Sequence, residues 1–184
     1  MEENIAFFML DQTKDGKGVI GALLVTDDLG MPQEFRVTYP VKPTKLQRRL
    51  YGDSLLVHIG VTLCGEPLYK ALKNKPELLL VSRRGYLPIS AKVDSKVTHV
   101  KRMGEALVVE NEGESSPDQE RSLHSKSGRF QPITIFYSPD SNDQEQEEIN
   151  ALVDKYFQGI DLLEPFERIK SALEALAEQD ERFR

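Results

Sequence analysis

An α/β or α+β fold follows from three observations. Residues 5–10 (IAFFML), 19–26 (VIGALLVT) and 34–39 (EFRVTY) are three strand-like runs joined by short, turn-rich links. Two prolines, Pro40 and Pro43, then close the strand pattern and are followed by helical spacing. After a further strand-like run at 133–137 (ITIFY), apolar residues recur at helical intervals to the end of the chain. Together these predict a mixed sheet that begins with a three-stranded antiparallel meander, a helical layer after the third strand, and a C-terminal helical pair.

Each element has a local reason. The first two runs are continuously apolar, as in strands buried on both faces. Asp15-Gly16 and Gly18 supply the turn between them, and Asp27, Asp28, Gly30 and Pro32 the next. The third run alternates polar and apolar, which predicts one wet face. Thr44 suits an N-cap, and Leu46, Leu50, Asp53 and Val57 fall on one helical face with Lys45, Arg48 and Arg49 off it. Gly52 weakens that helix, and residues 55–64 (LLVHIGVTLC) fit either a helix or an extended run. Pro67 opens a second short helix, with Leu68, Ala71 and Leu72 as its apolar stripe, and Pro76 stops it. Residues 78–82 (LLLVS) read as a central strand.

The pieces YLPISAKV, VTHV and EALVVE within 86–110 read as an antiparallel extension. Residues 111–131 are polar and lack aliphatic periodicity, so they read as a long mobile loop. Ser141 with Gln144, and Asp161 with Glu164, have capping-box spacing at two helix starts. Gly159 suits a C-cap and Pro165 a first turn. Phe166, Ile169, Leu173 and Leu176 form a 3-4-3 stripe on the last helix. Such a stripe packs on its own core or forms a homodimer seam. The domain expectation is a mixed-sheet core over 1–110, the loop 111–131, and a last strand with two helices of the same domain over 132–184.

Composition narrows the function classes. No run of about 18 apolar residues exists, which argues against a membrane span. The start, MEENIAFFMLDQ, carries acids where a signal peptide needs bases, so the expected location is cytoplasmic. The single cysteine, Cys64, sits in an apolar stretch and reads as a small buried hydrophobe. His58, His99 and His124 are scattered, which argues against a structural zinc site. Neither a P-loop, a G-x-G-x-x-G turn, a G-x-S-x-G elbow nor an HExxH helix occurs.

The net charge of -6 conceals segregation. Residues 35–104 hold 14 basic and 4 acidic residues, and residues 105–184 hold 8 basic and 19 acidic. Lys45, Arg48, Arg49, Arg83 and Arg84 are the candidate binding residues for nucleic acid or another polyanion, since Lys and Arg neutralise phosphates and release counterions. Tyr39, Tyr51, Tyr69 and Tyr86 are the nearby rings available for stacking. The competing reading is that the acidic C-terminal segment folds back and neutralises the basic middle.

The order strand, strand, strand, helix, strand, with a later strand and helices, resembles the RNase H-like superfamily, with endonuclease V the family most similar in layout. The resemblance covers residues 5–82 and lies in element order. It implies an acid on the first strand and another at the end of the strand after the helix, where clustered carboxylates hold Mg²⁺ ions about 3.5–4 Å apart. Asp11 fits the first position and is the candidate metal ligand. Ser82, followed by Arg83, occupies the second, so Asp53 and Glu66 from the helical region become the further candidate catalytic acids. The favoured reading is therefore a non-catalytic binding domain with a basic central face and no cofactor. The alternative is a metal-dependent nuclease of RNase H-like type using Mg²⁺.

Overall fold

The computed structural model describes residues 3–104 and 120–184. Its centre is a seven-stranded sheet built from β1 (Ile5–Gln12), β2 (Val19–Thr26), β3 (Pro32–Val37), β4 (Leu78–Val81), β5 (Lys96–Arg102), β6 (Glu120–Leu123) and β7 (Ile133–Phe136). The strand order is β3-β2-β1-β4-β5-β7-β6.

The first three strands form the expected antiparallel meander, with Phe7 opposite Leu24 and Leu24 opposite Phe35. β4 lies parallel to β1, and β5 parallel to β4. All four residues of β4 and all eight of β2 are buried, as their continuous apolar sequences require.

Alternation along the strands divides the core in two. Ile5, Phe7 and Met9 face one side of the sheet, and Ala6 and Phe8 the other. On the first side lie α4 (Asp143–Phe157) and α5 (Glu164–Gln179), which bury Ile149, Val153, Phe166, Ile169 and Leu173. The seam reading of α5 is thereby corrected: Phe166, Ile169 and Leu173 are buried in the chain's own core and Leu176 packs against it.

The crossover from β3 to β4 covers the other side. It runs through α1 (Lys45–Tyr51), α2 (Ser54–His58), a π-helical segment (Ile59–Gly65) and α3 (Glu66–Lys70). The ambiguous stretch 55–64 is thus helical throughout. Ile59, Val61 and Cys64 fill the space over β1 and β2. Gly21 permits that approach, because a Cβ there would lie 2.5 Å from the Cβ of Cys64. Burial pushes the Cys64 thiol up, as expected of a structural cysteine.

Four expectations fail. α1 buries nothing, and Leu46 and Leu50 are 65% and 72% exposed. Helical spacing set up an apolar face there, but the helices of the crossover bury side chains only from Leu55 onward. The piece YLPISAKV lies within a 3-10 helix (Arg84–Lys92), because Pro88 removes a ladder donor. β5 joins the sheet in parallel, not as an antiparallel extension. Glu120–Leu123, inside the expected loop, pairs with β7 as an edge strand, Leu123 opposite Ile133. The run EALVVE (105–110) and residues 111–119 of that loop lie outside the described residues.

The helix caps also differ in detail. Asn142, one residue past Ser141, caps α4 by accepting from the Glu145 amide. Asp161 accepts from the Leu163 amide before α5 begins. Among the described residues, no helix is long and apolar enough to cross a membrane.

Candidate nucleic-acid interface

The crossover enters over the turn that joins β1 to β2. Thr44 starts α1 as a full capping box: its hydroxyl accepts from the Gln47 amide, and the Gln47 side chain accepts from the Thr44 amide. Arg48 and Arg49 fall in the last turn of α1, where cations complement the helix dipole. Gly52, at φ +52°, then reverses the chain and leads into Asp53, which precedes α2.

This places Arg48 above the β1–β2 turn, where its guanidinium donates to the Lys17 carbonyl at 3.2 Å. Arg83 arrives from the other side, directly after β4. Between them is an open groove of about 690 Å³ lined by Gln12, Gly16, Arg48, Asp53, Arg83 and Tyr86 among others. Two arginines and one aspartate thus line one concave surface. Tyr51, beside the groove-lining Gly52, is exposed and stacks on His58 with ring centroids 5.0 Å apart.

The other candidate binding residues do not line this groove. Lys45 and Arg49 are exposed on α1. Arg84 turns toward β7, with its guanidinium 4.8 Å from the centroid of the Phe136 ring. Of the four candidate stacking rings, Tyr69 and Tyr86 are buried, and Tyr39 lies near the C-terminus, stacked on Phe183.

The fold-back of acids is also real in part. Lys96 pairs with Glu148 at 2.7 Å, and Arg102 with Asp161 at 2.7 Å. Those pairs neutralise part of the β5 side of the basic segment.

The three candidate acids are spread over the structure. Asp11 lies near the end of β1 on the parity of Met9, toward the α4/α5 side of the sheet, and accepts from the Gln12 amide. Asp53 lines the groove on the opposite side. Glu66, in α3, accepts from Lys70 at 2.7 Å and Lys92 at 2.8 Å. Those two ammonium groups hold its carboxyl down at about 2. Among the described residues, no group of three or more His, Cys, Asp and Glu side chains is arranged to hold a metal ion.

A second cavity of about 510 Å³ opens on the Asp11 side of the sheet. Met9, Ser82 and Arg102 line it from the strands, and Asp161, Glu164 and Glu167 from the start of α5. Each of these acids has a basic partner: Arg102, Arg168 and Lys170 respectively. Sequence reasoning saw Asp161 and Glu164 only as capping residues. The missed signal is an acid-rich helix start that the sheet order brings beside Ser82.

The strand order β3-β2-β1-β4-β5, with an antiparallel meander running into a parallel pair, makes this a mixed α/β sheet with the element order expected from the sequence. Among solved structures, the chain is similar to endonuclease V from Streptomyces avermitilis at 10% identity, with 97% of this chain and 82% of that one covered and a TM-score of 0.49. Endonuclease V from Bacillus subtilis is similar at 9% identity, with 82% and 71% covered and a TM-score of 0.48. The Ciona intestinalis enzyme, solved with a DNA containing an inosine followed by a ribo-adenosine, matches at 11% identity, 84% and 77% coverage and a TM-score of 0.43. No protein-family model matches the sequence, and no curated protein does.

Proposed function

We propose that this chain binds nucleic acid along the groove between α1, the β1–β2 turn and the segment after β4. One observation carries the reading: Arg48 and Arg83, far apart in sequence, line the same concave surface. Two arginines lining one groove suit a phosphate backbone, because a guanidinium offers planar, charge-assisted donors. The exposed ring of Tyr51 beside the groove is available for a base to stack on.

The test is fluorescence anisotropy with labelled single strands and duplexes over a salt series. Binding should weaken steeply between about 50 and 200 mM salt. The double variant Arg48→Ala, Arg83→Ala should bind more weakly and with a shallower salt slope. Equal affinity and equal slope for wild type and variant would remove the groove from the reading.

A second reading, Mg²⁺-dependent cleavage of nucleic acid, is supported by a different observation. Asp11 lies near the end of the first strand, and acids at the α5 start line a cavity with Ser82 on the same side of the sheet. Asp11 would be the protein ligand to the metal, and Mg²⁺ would supply the charge that activates water and stabilises the leaving oxygen. Incubation of the same oligonucleotides with Mg²⁺ or Mn²⁺ separates the readings. Cleavage that disappears in Asp11→Asn supports catalysis, and intact strands alongside tight binding leave the binding reading alone.

A further inference from the structure

One residue of the basic groove opposes its charge. Asp53 lines the surface together with Arg48 and Arg83. A carboxylate there lowers the affinity of the groove for a phosphate backbone. The fold makes no use of it in return. Asp53 precedes α2, yet no backbone amide donates to its side chain. It is exposed, and among the described residues it forms no hydrogen bond and no ion pair. Arg48, on the same surface, donates to the Lys17 carbonyl instead. Nor does Asp53 belong to a group of His, Cys, Asp and Glu side chains that could hold a metal ion, of which the described residues contain none.

A carboxylate only accepts hydrogen bonds. The donors that a nucleic acid can offer it are base N–H groups and sugar hydroxyls. Guanine presents two adjacent donors along one edge, N1–H and an N2–H. Both oxygens of one carboxylate can accept from them in parallel, as a charge-assisted bidentate pair. On adenine and cytosine the amino group sits beside a ring-nitrogen lone pair. On thymine the N3–H lies between two carbonyls. Each of these sets an acceptor against the second carboxylate oxygen. In a duplex that edge of guanine is occupied by cytosine, so only an unpaired base can be read this way. Tyr51, two residues before Asp53, is 42% exposed and stacks on His58. Stacking on a ring holds a base without selecting it, which leaves the selection to the carboxylate.

We propose that Asp53 is a specificity-determining residue of the groove, accepting from N1–H and N2–H of an unpaired guanine. The ligand is then a guanine-containing single strand. This rests on the groove being a nucleic-acid site, and it adds a base preference and a strand state to that reading.

The test is fluorescence anisotropy at one fixed salt concentration, with EDTA present, on labelled DNA strands of thymine that carry one central guanine, adenine or cytosine. DNA lacks the 2′-hydroxyl, so base contacts alone distinguish the strands. The guanine strand should bind roughly tenfold more tightly than the all-thymine strand, the scale of one bidentate base contact. Adenine and cytosine should fall close to thymine. In duplexes, exchanging one A·T pair for G·C should give no preference.

Asp53→Asn keeps the shape but offers one acceptor and one donor, which no longer match the two donors of guanine. The variant should lose the guanine preference and yet bind the all-thymine strand more tightly than wild type, because a negative charge has left the groove. A role in the fold alone would weaken both. No binding to any strand would remove the groove reading and the guanine contact together. Wild-type binding that ignores the central base, a guanine preference that survives Asp53→Asn, or weaker binding of the all-thymine strand by that variant would overturn the guanine contact and leave the groove reading standing.

Discussion

Gly60 and the ring of Tyr86 are in direct contact, so close that a Cβ on Gly60 would sit 2.6 Å from Tyr86 Cε1. Both residues are buried, and the ring is also held edge-on to Phe8. Gly60→Ala should therefore destabilise the fold by about 1–3 kcal/mol through overpacking. Alanine is favoured over glycine in a helix by about 1 kcal/mol, which offsets only part of that loss. Urea unfolding of the two proteins measures the difference.

The groove predicts an ordering among arginines on one short helix. Arg48 lines it and Arg49 does not. Arg48→Ala should weaken nucleic-acid binding and, on duplex DNA, lower the salt slope by about 0.9 for each phosphate that the arginine neutralises. Arg49→Ala should do less on both counts, and a reversed order in the same anisotropy assay would place the ligand on the outer face of α1.

Glu66 has a pH signature. Its carboxyl is held at about 2 by hydrogen bonds from Lys70 and then Lys92, below its ordinary value of 4.5. A carboxyl depressed in the folded state contributes stability in full above the unfolded pKa and loses it as pH falls through the folded one. The window is therefore about 4.5 down to about 2. The pair is solvent-screened, so the contribution is small. A carboxyl titration followed by NMR should give the low midpoint, and Lys92→Met should raise it.

Tyr156 carries the opposite sign. Burial raises its phenol, and the carboxylate of Glu77, to which the hydroxyl donates at 3.0 Å, raises it further. A phenol raised in the folded state stabilises below its unfolded pKa, near 10, and that contribution is lost as pH climbs toward the folded value. Tyr156→Phe should cost about 1–2 kcal/mol at neutral pH, since it removes a hydrogen bond to a charged partner. The variant should also flatten the alkaline limb of a stability–pH curve, which thermal melts in alkaline buffers would record.

Much of the fold was legible because its strongest signals are local. Thr44, the run 19–26 and Pro67 each announce their structure through a few neighbouring residues. Legibility fails where tertiary partners decide. Leu46 and Leu50 have the spacing of a buried face, but nothing in the sequence says that α1 stands clear of the sheet. ERSL at 120–123 has no strand alternation and is extended because β7 offers it a free edge.

The candidate site was half legible for the same reason. The types of residue were visible, and their convergence was not. Arg48 and Arg83 line one groove because α1 lies over the β1–β2 turn and β4 ends beside it. Arg84, one residue further, has the same chemistry and points toward Phe136 instead. The sequence singles out Asp11 as the candidate metal ligand, with Asp53 and Glu66 as further acids, but only the fold places Asp11 and Asp53 on opposite sides of the sheet.

The π-helical turn at Ile59–Gly65 acts as a phase adjuster between the two halves of the crossover. Each α-helical residue advances the chain by about 100° around its axis. Deleting one residue here, such as Thr62, would let the segment relax into a regular α-helix and rotate α3 by about that angle. Leu68 and Tyr69, now buried against the sheet, would swing toward solvent, and Lys70 toward the core. The crossover is thus less tolerant of a single-residue deletion than of most substitutions, and length polymorphism in this chain should be confined to its loops.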